Sequence, residues 1–308
     1  MRSFHHAEFP AGALAASRER TVSVCLPARD EAATIGPILE AIMPLAERGV
    51  IDQVVVVDDS TDATPEIARS LGAEVYAQSA LVPGLGPVRG KGDAMWRALS
   101  VLTGDVVCYL DADSQDAGEH FALGLIGPLL LLDDVQFVKA FYRRPWQQGG
   151  VTEPAGGGRV TELTARPVLN RFFPELAAIR QPLAGEIAAR RQLLRQLPFC
   201  SGYAVDVALL IDASRVAGAE AIAQVDLEAR QNRHQPLADL GRMAGEVLAG
   251  MTSRLVADGR LAESGADTLL SPSADGSFDP VDVGFEERPP MADYEASARR
   301  SSFTVASA

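Results

Sequence analysis

Residues 105–113 read Asp-Val-Val-Cys-Tyr-Leu-Asp-Ala-Asp, an apolar run that ends in two carboxylates one residue apart. A strand apolar on both faces belongs inside a parallel sheet covered by helices, because a half-exposed strand would alternate. The same grammar repeats upstream. Val22–Leu26 ends at Pro27, Val54–Val57 ends at Asp58-Asp59, and Glu74–Ala77 is another short strand. Between them the spacing predicts a helix over 34–47, a second opening at Thr64-Pro65-Glu66, and a third over 91–102. Thr64-Pro65-Glu66 supplies a capping residue, a proline at the first helical position and an early acid. This βαβα succession predicts an α/β fold with a mostly parallel sheet. Ligands of such sheets bind beyond the carboxyl ends of the strands. Three polar clusters fall there: Pro27-Ala28-Arg29-Asp30-Glu31, Asp58-Asp59-Ser60 and Asp111-Ala112-Asp113.

Further along, 135–142 reads as a strand, and a glycine-rich loop at 156–159 leads into a helix over 161–169. Helices are predicted near 186–197, 203–217 and 236–255. The expected organisation is a flexible tail over 1–20, a first lobe over 21–134 and a second over 135–262. Residues 263–308 read as a weakly structured acidic tail with a short helix near 292–300.

Composition limits function. The 308 residues carry a net charge of −13, which argues against a duplex-DNA binder needing a basic face. About −6 of that charge lies after residue 262. Of the 28 cationic residues only Lys91 and Lys139 are lysines, which draws the eye to those two positions. Cys25, Cys108 and Cys200 lack metal-ligand spacing and read as small core hydrophobes. No apolar run of signal-peptide type opens the chain, and the run 121–132 is too short to span a bilayer. The expectation is a soluble, cytoplasmic protein with neither nucleic-acid nor membrane partners.

Each motif has a plain reading beside a chemical one. Asp111-Ala112-Asp113 is either an acidic turn or a pair of carboxylates for a divalent cation that bridges a diphosphate. The Asp58 cluster is either a turn or an acceptor for a ribose or base. Gly90-Lys91-Gly92 at a helix start suits a diphosphate, although it lacks the P-loop spacing. Gly156-Gly157-Gly158-Arg159-Val160-Thr161 is a mobile linker or a second anion cradle, with Lys139, Arg143 and Arg144 near it in sequence. Two cradles imply two phosphorylated ligands and therefore a transfer. Arg230-Gln231-Asn232-Arg233-His234-Gln235 contains one of only four histidines, a structural residue or a metal ligand.

Taken in order, these motifs together with Gln181–Glu186 and the stretches KAFYRRP, GRVTELTARP and AIAQVDLEAR resemble the retaining GT-A glycosyltransferases that make glucosyl- or mannosyl-3-phosphoglycerate. The resemblance covers roughly residues 20–260. It implies a metal-dependent hexosyltransferase of GT-A fold, with Mg²⁺ or Mn²⁺, a nucleotide-diphosphate sugar and D-3-phosphoglycerate as ligands, and a homodimer. It also implies a step toward a compatible solute or polysaccharide precursor.

By match to that family, Pro27, Ala28, Arg29, Asp30, Glu31, Asp58, Asp59, Lys91, Asp111 and Ala112 line the donor site. The resemblance makes Asp113 the metal ligand and gives the phosphoglycerate to Gly158, Arg159, Val160 and Thr161. Tyr203, Ala204, Val205 and Asp206 approach the donor sugar, and Arg230 through Gln235, with Asn232 and His234, close over donor, metal and acceptor. Asp206, Arg230 and Lys91 take the catalytic roles.

Two departures bear on specificity. Relatives that use UDP-glucose carry Glu at the position of Asp206. They also carry His and Asn at the positions of Asn232 and His234, which assigns the second metal ligand to His234 with Asn232 as the alternative. The loop at Asp58 is one residue shorter. The reading therefore leans to GDP-mannose as donor, with UDP- or GDP-glucose as the alternative and a nucleotidyltransferase behind both.

Overall fold

The computed structural model describes residues 1–17, 19–144, 146–148, 151–153, 157–230, 236–273 and 277–305. The chain opens with β1 (Arg2–His5), α1 (Ala11–Ser17), β2 (Val22–Ala28), α2 (Ile35–Glu47), β3 (Gln53–Asp58), α3 (Thr64–Ser70) and β4 (Glu74–Ala77). It continues through α4 (Gly90–Ala98), β5 (Val106–Tyr109), α5 (Glu119–Leu131), β6 (Phe137–Arg143), a hairpin of β7 (Trp146–Gln148) and β8 (Val151–Glu153), and α6 (Arg166–Phe172). Then come β9 (Ile187–Arg190), α7 (Arg191–Leu194), β10 (Phe199–Cys200), α8 (Val205–Ala217), β11 (Ile222–Ala229) and α9 (Leu237–Ala257). The hairpin β12 (Thr268–Pro272)–β13 (Phe278–Asp282), β14 (Glu287–Arg288) and α10 (Met291–Val305) close it.

Eight strands form one sheet in the order β1-β11-β6-β9-β5-β2-β3-β4. All neighbours run parallel except β9, which is antiparallel to both β5 and β6. The α/β reading holds, and both expected lobes contribute strands to this single sheet. Apolar side chains cover each face: one core gathers α2 and α5 with Val24, Leu26, Val54 and Val56, the other gathers α4 and α8 with Cys25, Val55, Val107 and Tyr109. Helix α5 is buried on nearly every side, which explains its continuous apolar run. Among the described residues no helix is long and apolar enough to cross a membrane.

Three sequence expectations are corrected. The segment 187–190, expected inside a helix, is strand β9. Its alanine-rich sequence favours helix locally, but the open slot between β5 and β6 rewards pairing on both edges.

Residues 1–20 are not a loose tail. β1 pairs in parallel with β11, Phe9 and Leu14 are buried, and the His6 ring meets the Glu228 carboxylate at 3.0 Å. A four-residue edge strand is too short to show a period in sequence.

The described part of residues 263–308 also folds back onto the body, at β14 and α10. The Trp96 indole donates to the Pro289 carbonyl at 2.7 Å, and Tyr294 packs edge-on against Trp96. The Arg288 guanidinium bonds the fully buried Asp93 at 2.7 and 3.0 Å. These are single anchors without periodicity, so hydrophobic patterning misses them.

Candidate active site

The parallel strands end together, and the loops that leave them are tied to one another. Pro27 and Ala28, expected in a loop, are the last residues of β2, and only Arg29–Glu31 leave the sheet. Asp30 takes a left-handed φ of 57°, which turns its amide onto Ser60 Oγ (2.8 Å) and its carboxylate onto the Thr61 amide (2.8 Å). The Glu31 amide donates to Thr64 Oγ1 at 2.9 Å, and the Ala32 amide to Asp62 at 3.1 Å. Arg29 stands 4.0 Å from Asp59. Asp58 Oδ1 is buried without a hydrogen-bond partner, an acceptor available to a ligand donor.

The second tier lies around Asp111. Helix α4 begins at Gly90, and Lys91 Nζ sits 2.6 Å from Asp111 Oδ1 and 3.4 Å from Asp206 Oδ1. Arg230 follows β11 and is 2% exposed. Its guanidinium reaches Asp111 at 3.0 Å, Asp113 at 2.6 Å and Glu186 at 2.5 Å. Tyr142 completes the net: its hydroxyl accepts from Arg230 (2.9 Å) and Arg144 (2.9 Å) and donates to Glu186 (2.8 Å). Lys139 does not join the glycine-rich loop. It is fully buried, and its ammonium donates to the Asp206 backbone carbonyl at 3.1 Å. The chain's two lysines thus converge on one residue, Asp206.

The antiparallel β9 explains why Glu186 is here. Ile187 pairs with Tyr109 and Lys139, so the residues before β9 arrive beside the carboxyl ends of its neighbours. Gly185 must lack a side chain, since a Cβ there would collide with the Asp111 carboxylate and the Lys91 ammonium. Glu186, Tyr142, Arg144 and Gly185 were absent from the candidate residues. The signal was present in Gln181–Glu186, but reading 187–190 as helix hid where that stretch leads.

Charge compensation sets the protonation states. Burial opposes the Lys91 ammonium, yet Asp111 and Asp206 outweigh it and hold its pKa above the usual lysine range. Burial likewise opposes the Asp111 carboxylate, and Lys91 with Arg230 hold its pKa well below the usual range. Glu186 moves the other way: burial raises its pKa despite Arg230. Burial also lowers Lys139 to about 8, the neighbouring Asp206 only partly offsetting it. Four cations and four carboxylates (Lys91, Lys139, Arg144 and Arg230 with Asp111, Asp113, Asp206 and Glu186) therefore meet in one nearly balanced cluster. An anion that drew Lys91 and Arg230 away from these carboxylates would leave Asp111 and Asp113 in need of another cation.

The remaining candidates are placed unequally. Asp206 opens α8 beside Lys91, and Tyr203 is 47% exposed, but Ala204 and Val205 are core residues. Gly158 has a φ of 80° and opens the turn into Thr161–Ala165, with the Gly157 amide on the Arg144 carbonyl at 3.1 Å. Val160 and Thr161 are buried there. Asn232 and His234 lie outside the described residues. The donors that are described fit a hard divalent cation: Asp113 presents a half-exposed carboxylate at a strand end beside Asp111.

Comparison with known proteins decides the family. Residues 23–147 match glycosyl transferase family 2. The glucosyl-3-phosphoglycerate synthase of Mycolicibacterium smegmatis is 43% identical over 281 residues, 90% of this chain and 91% of that protein. This chain belongs to the glucosyl-/mannosyl-3-phosphoglycerate synthase family. The crystal structure of mannosyl-3-phosphoglycerate synthase from Rubrobacter xylanophilus superimposes with a TM-score of 0.87 at 45% identity, covering 95% of this chain and 96% of that one. Glucosyl-3-phosphoglycerate synthase from Mycobacterium tuberculosis, solved with Mn²⁺, UDP and glucosyl-3-phosphoglycerate, gives 0.84 at 39% identity over 96% and 99%. The fold is GT-A, and the chain is a hexosyltransferase of the family that makes glucosyl- or mannosyl-3-phosphoglycerate.

Proposed function

We propose that the chain transfers mannose from GDP-mannose to the hydroxyl of D-3-phosphoglycerate with retention at the anomeric carbon. The observation that carries the donor reading is Asp206, a carboxylate one methylene shorter than the Glu of UDP-glucose users, pinned between Lys91 on its side chain and Lys139 on its carbonyl. A shorter carboxylate leaves different room at the transferred sugar. The greater structural overlap with the mannosyl synthase supports the same choice. The glucosyl reading keeps its own support, because the M. smegmatis relative carries that name at 43% identity.

In this reading Asp58, Asp59 and Arg29–Glu31 hold the nucleoside, with the unpartnered Asp58 Oδ1 accepting from it. Lys91 and Arg230 receive the diphosphate, and Gly158–Thr161 with Arg159 receive the phosphoglycerate phosphate. Asp113 with His234 would hold Mg²⁺ or Mn²⁺, which when bound supplies positive charge to the leaving diphosphate. The bond from the anomeric carbon to the diphosphate oxygen breaks, and the acceptor oxygen attacks the same face. Its proton passes to the leaving phosphate oxygen. Lys91 and Arg230 stabilise the charge that develops there, and Asp206 faces the positive anomeric carbon. The family resemblance adds a homodimer, which sedimentation would test.

Product formation from D-3-phosphoglycerate with Mg²⁺, run in parallel with GDP-mannose, GDP-glucose, UDP-glucose and UDP-mannose, tests the donor. Transfer chiefly from GDP-mannose is expected; transfer chiefly from UDP-glucose overturns the mannosyl reading and makes the Asp206 change neutral. Asp206→Ala is expected to lower kcat, and an effect on KM alone would remove the role given to Asp206.

A further inference from the structure

The amino end of the sheet carries a second group of cations that the transfer reaction does not use. Arg190 closes β9 and Arg191 opens α7, while Arg20 precedes β2 and Arg195 follows α7. With Asp105 and Gln192 these four arginines line a cleft of about 540 Å³. Asp105 stands at the start of β5 and Asp111 beyond its end. Six residues of extended chain separate the cleft from the catalytic carboxylates by roughly 20 Å.

The charges here are compensated only in part. Arg20 pairs with Asp133, and Arg195 forms a two-pronged pair with Glu295 at 2.7 and 3.0 Å. Among the described residues Arg190 donates to backbone carbonyls, those of Leu132 (3.1 Å), Val135 (3.2 Å) and Asp133 (3.4 Å). Among the described residues the Arg191 side chain makes no ion pair, and its buried Nε has no hydrogen-bond partner. Asp105 is occupied, accepting from the Thr21 amide at 3.0 Å and hydroxyl at 2.8 Å. Burial lowers the pKa of Arg190 and of Arg191, and the neighbouring Arg20 and Arg195 lower them further, with Asp133, Glu295 and Asp105 offsetting this only in part. Asp133 and Asp105 lie near Arg190, and Glu295 and Asp105 near Arg191, yet among the described residues none of these carboxylates makes a direct ion pair with either guanidinium group. Four guanidinium groups against three carboxylates leave the cleft able to take further negative charge.

We propose that this cleft is a second anion site, separate from the transfer site, which takes a phosphorylated metabolite through Arg190 and Arg191. The planar fork of a guanidinium matches phosphate oxygens, and the volume lies in the range of small-ligand pockets, well beyond a single phosphate ion. The site depends on neither the donor nor the acceptor assigned above.

Calorimetric titration of the full chain with pyrophosphate and with inorganic phosphate, without divalent cation, tests it. Arg191→Gln, whose side chain has no folded-state partner to lose, is expected to weaken pyrophosphate binding about tenfold while leaving basal transfer unchanged. Arg191→Lys is expected to recover part of the affinity. The same tenfold loss is expected in a Lys91→Gln background, where the transfer site has lost one of its cations while Asp111 and Asp206 remain. If that background fails to fold, titration of the wild-type and Arg191→Gln chains saturated with UDP and Mn²⁺ makes the same distinction, read with inorganic phosphate. Equal affinity of the wild-type and Arg191→Gln chains overturns the proposal. So does an oligomeric state that changes with Arg191→Gln while pyrophosphate fails to bind, which would make the cluster a protein contact.

Discussion

The two ends of the sheet solve the problem of charge differently. At the carboxyl end, Lys91 and Arg230 pair directly with Asp111, Asp113, Asp206 and Glu186, while Lys139 donates to the Asp206 carbonyl and Arg144 to the Tyr142 hydroxyl. At the amino end, four arginines crowd a cleft in which two, Arg190 and Arg191, make no direct ion pair among the described residues. Strand β9 connects both. Being antiparallel, it delivers Glu186 to the first end and Arg190 to the second. The compensated cluster stores order for catalysis, so removing one member strands the rest. The arginine cluster, compensated only in part, stores repulsion, so removing Arg191 should relieve some of it.

The largest effect is expected from Arg230→Ala. Asp111, Asp113 and Glu186 would lose their shared cation inside a buried site, costing about 3–5 kcal/mol by urea unfolding. Transfer should fall by about 10²–10³-fold. Adding Glu186→Gln should restore part of the stability and none of the activity. If the double variant were no more stable than the single one, the cluster would not be held together by charge balance.

Gly185→Ala comes next. Its methyl group would push between Lys91 and Asp111 without changing any charge. Overpacking costs about 1–3 kcal/mol, and kcat is expected to drop about tenfold or more as the pair is displaced. Wild-type kcat in this variant would mean that the pair moves freely and that position matters less than charge.

How much of this contrast could be read from sequence depended on the element involved. The strands ending at Asp58 and Asp111 announced themselves because a buried parallel strand is apolar on both faces. Lys91, Asp111 and Asp206 come together as the motif order suggested. Glu186 and the arginine cleft did not show, and for one reason: 187–190 has the composition of a helix, and only the gap between β5 and β6 makes it a strand. The amino-terminal edge strand and the Arg288–Asp93 anchor rest on pairing across more than 190 residues, which no local period reports. Lys139 stands out in the sequence by its rarity, but its proximity there to Arg143 and Arg144 says nothing of which face of β6 it occupies.

Lys139 also gives the carboxyl end a pH signature. Its folded pKa of about 8 lies below the unfolded lysine value, so between those values the unfolded chain binds more protons. Stability should therefore be penalised fully below about pH 8 and rise as pH increases from about 8 toward 10.4. Lys139→Met should remove that rise, and it should lower kcat through Asp206, whose carbonyl loses its donor. Unfolding midpoints across pH 7–10 for both chains measure it. A wild-type curve flat over this window would show the ammonium to be better solvated than its burial implies.

The smallest effect belongs to the amino end and has the opposite sign. Among the described residues Arg191→Glu removes no side-chain hydrogen bond and no direct ion pair, and it places a carboxylate among Arg190, Arg20 and Arg195. The gain is expected to be about 0.5 kcal/mol, modest because the group is largely solvated and screened. Salt separates the two ends. Screening should stabilise the wild-type arginine cluster and shrink the gain from Arg191→Glu, whereas the loss in Arg230→Ala, being buried, should barely respond. Unfolding both variants in 0.05 and 0.5 M KCl makes the comparison. If Arg191→Glu destabilised the chain at low salt, the guanidinium of Arg191 would already have found its anion within the protein, and the asymmetry between the ends would disappear.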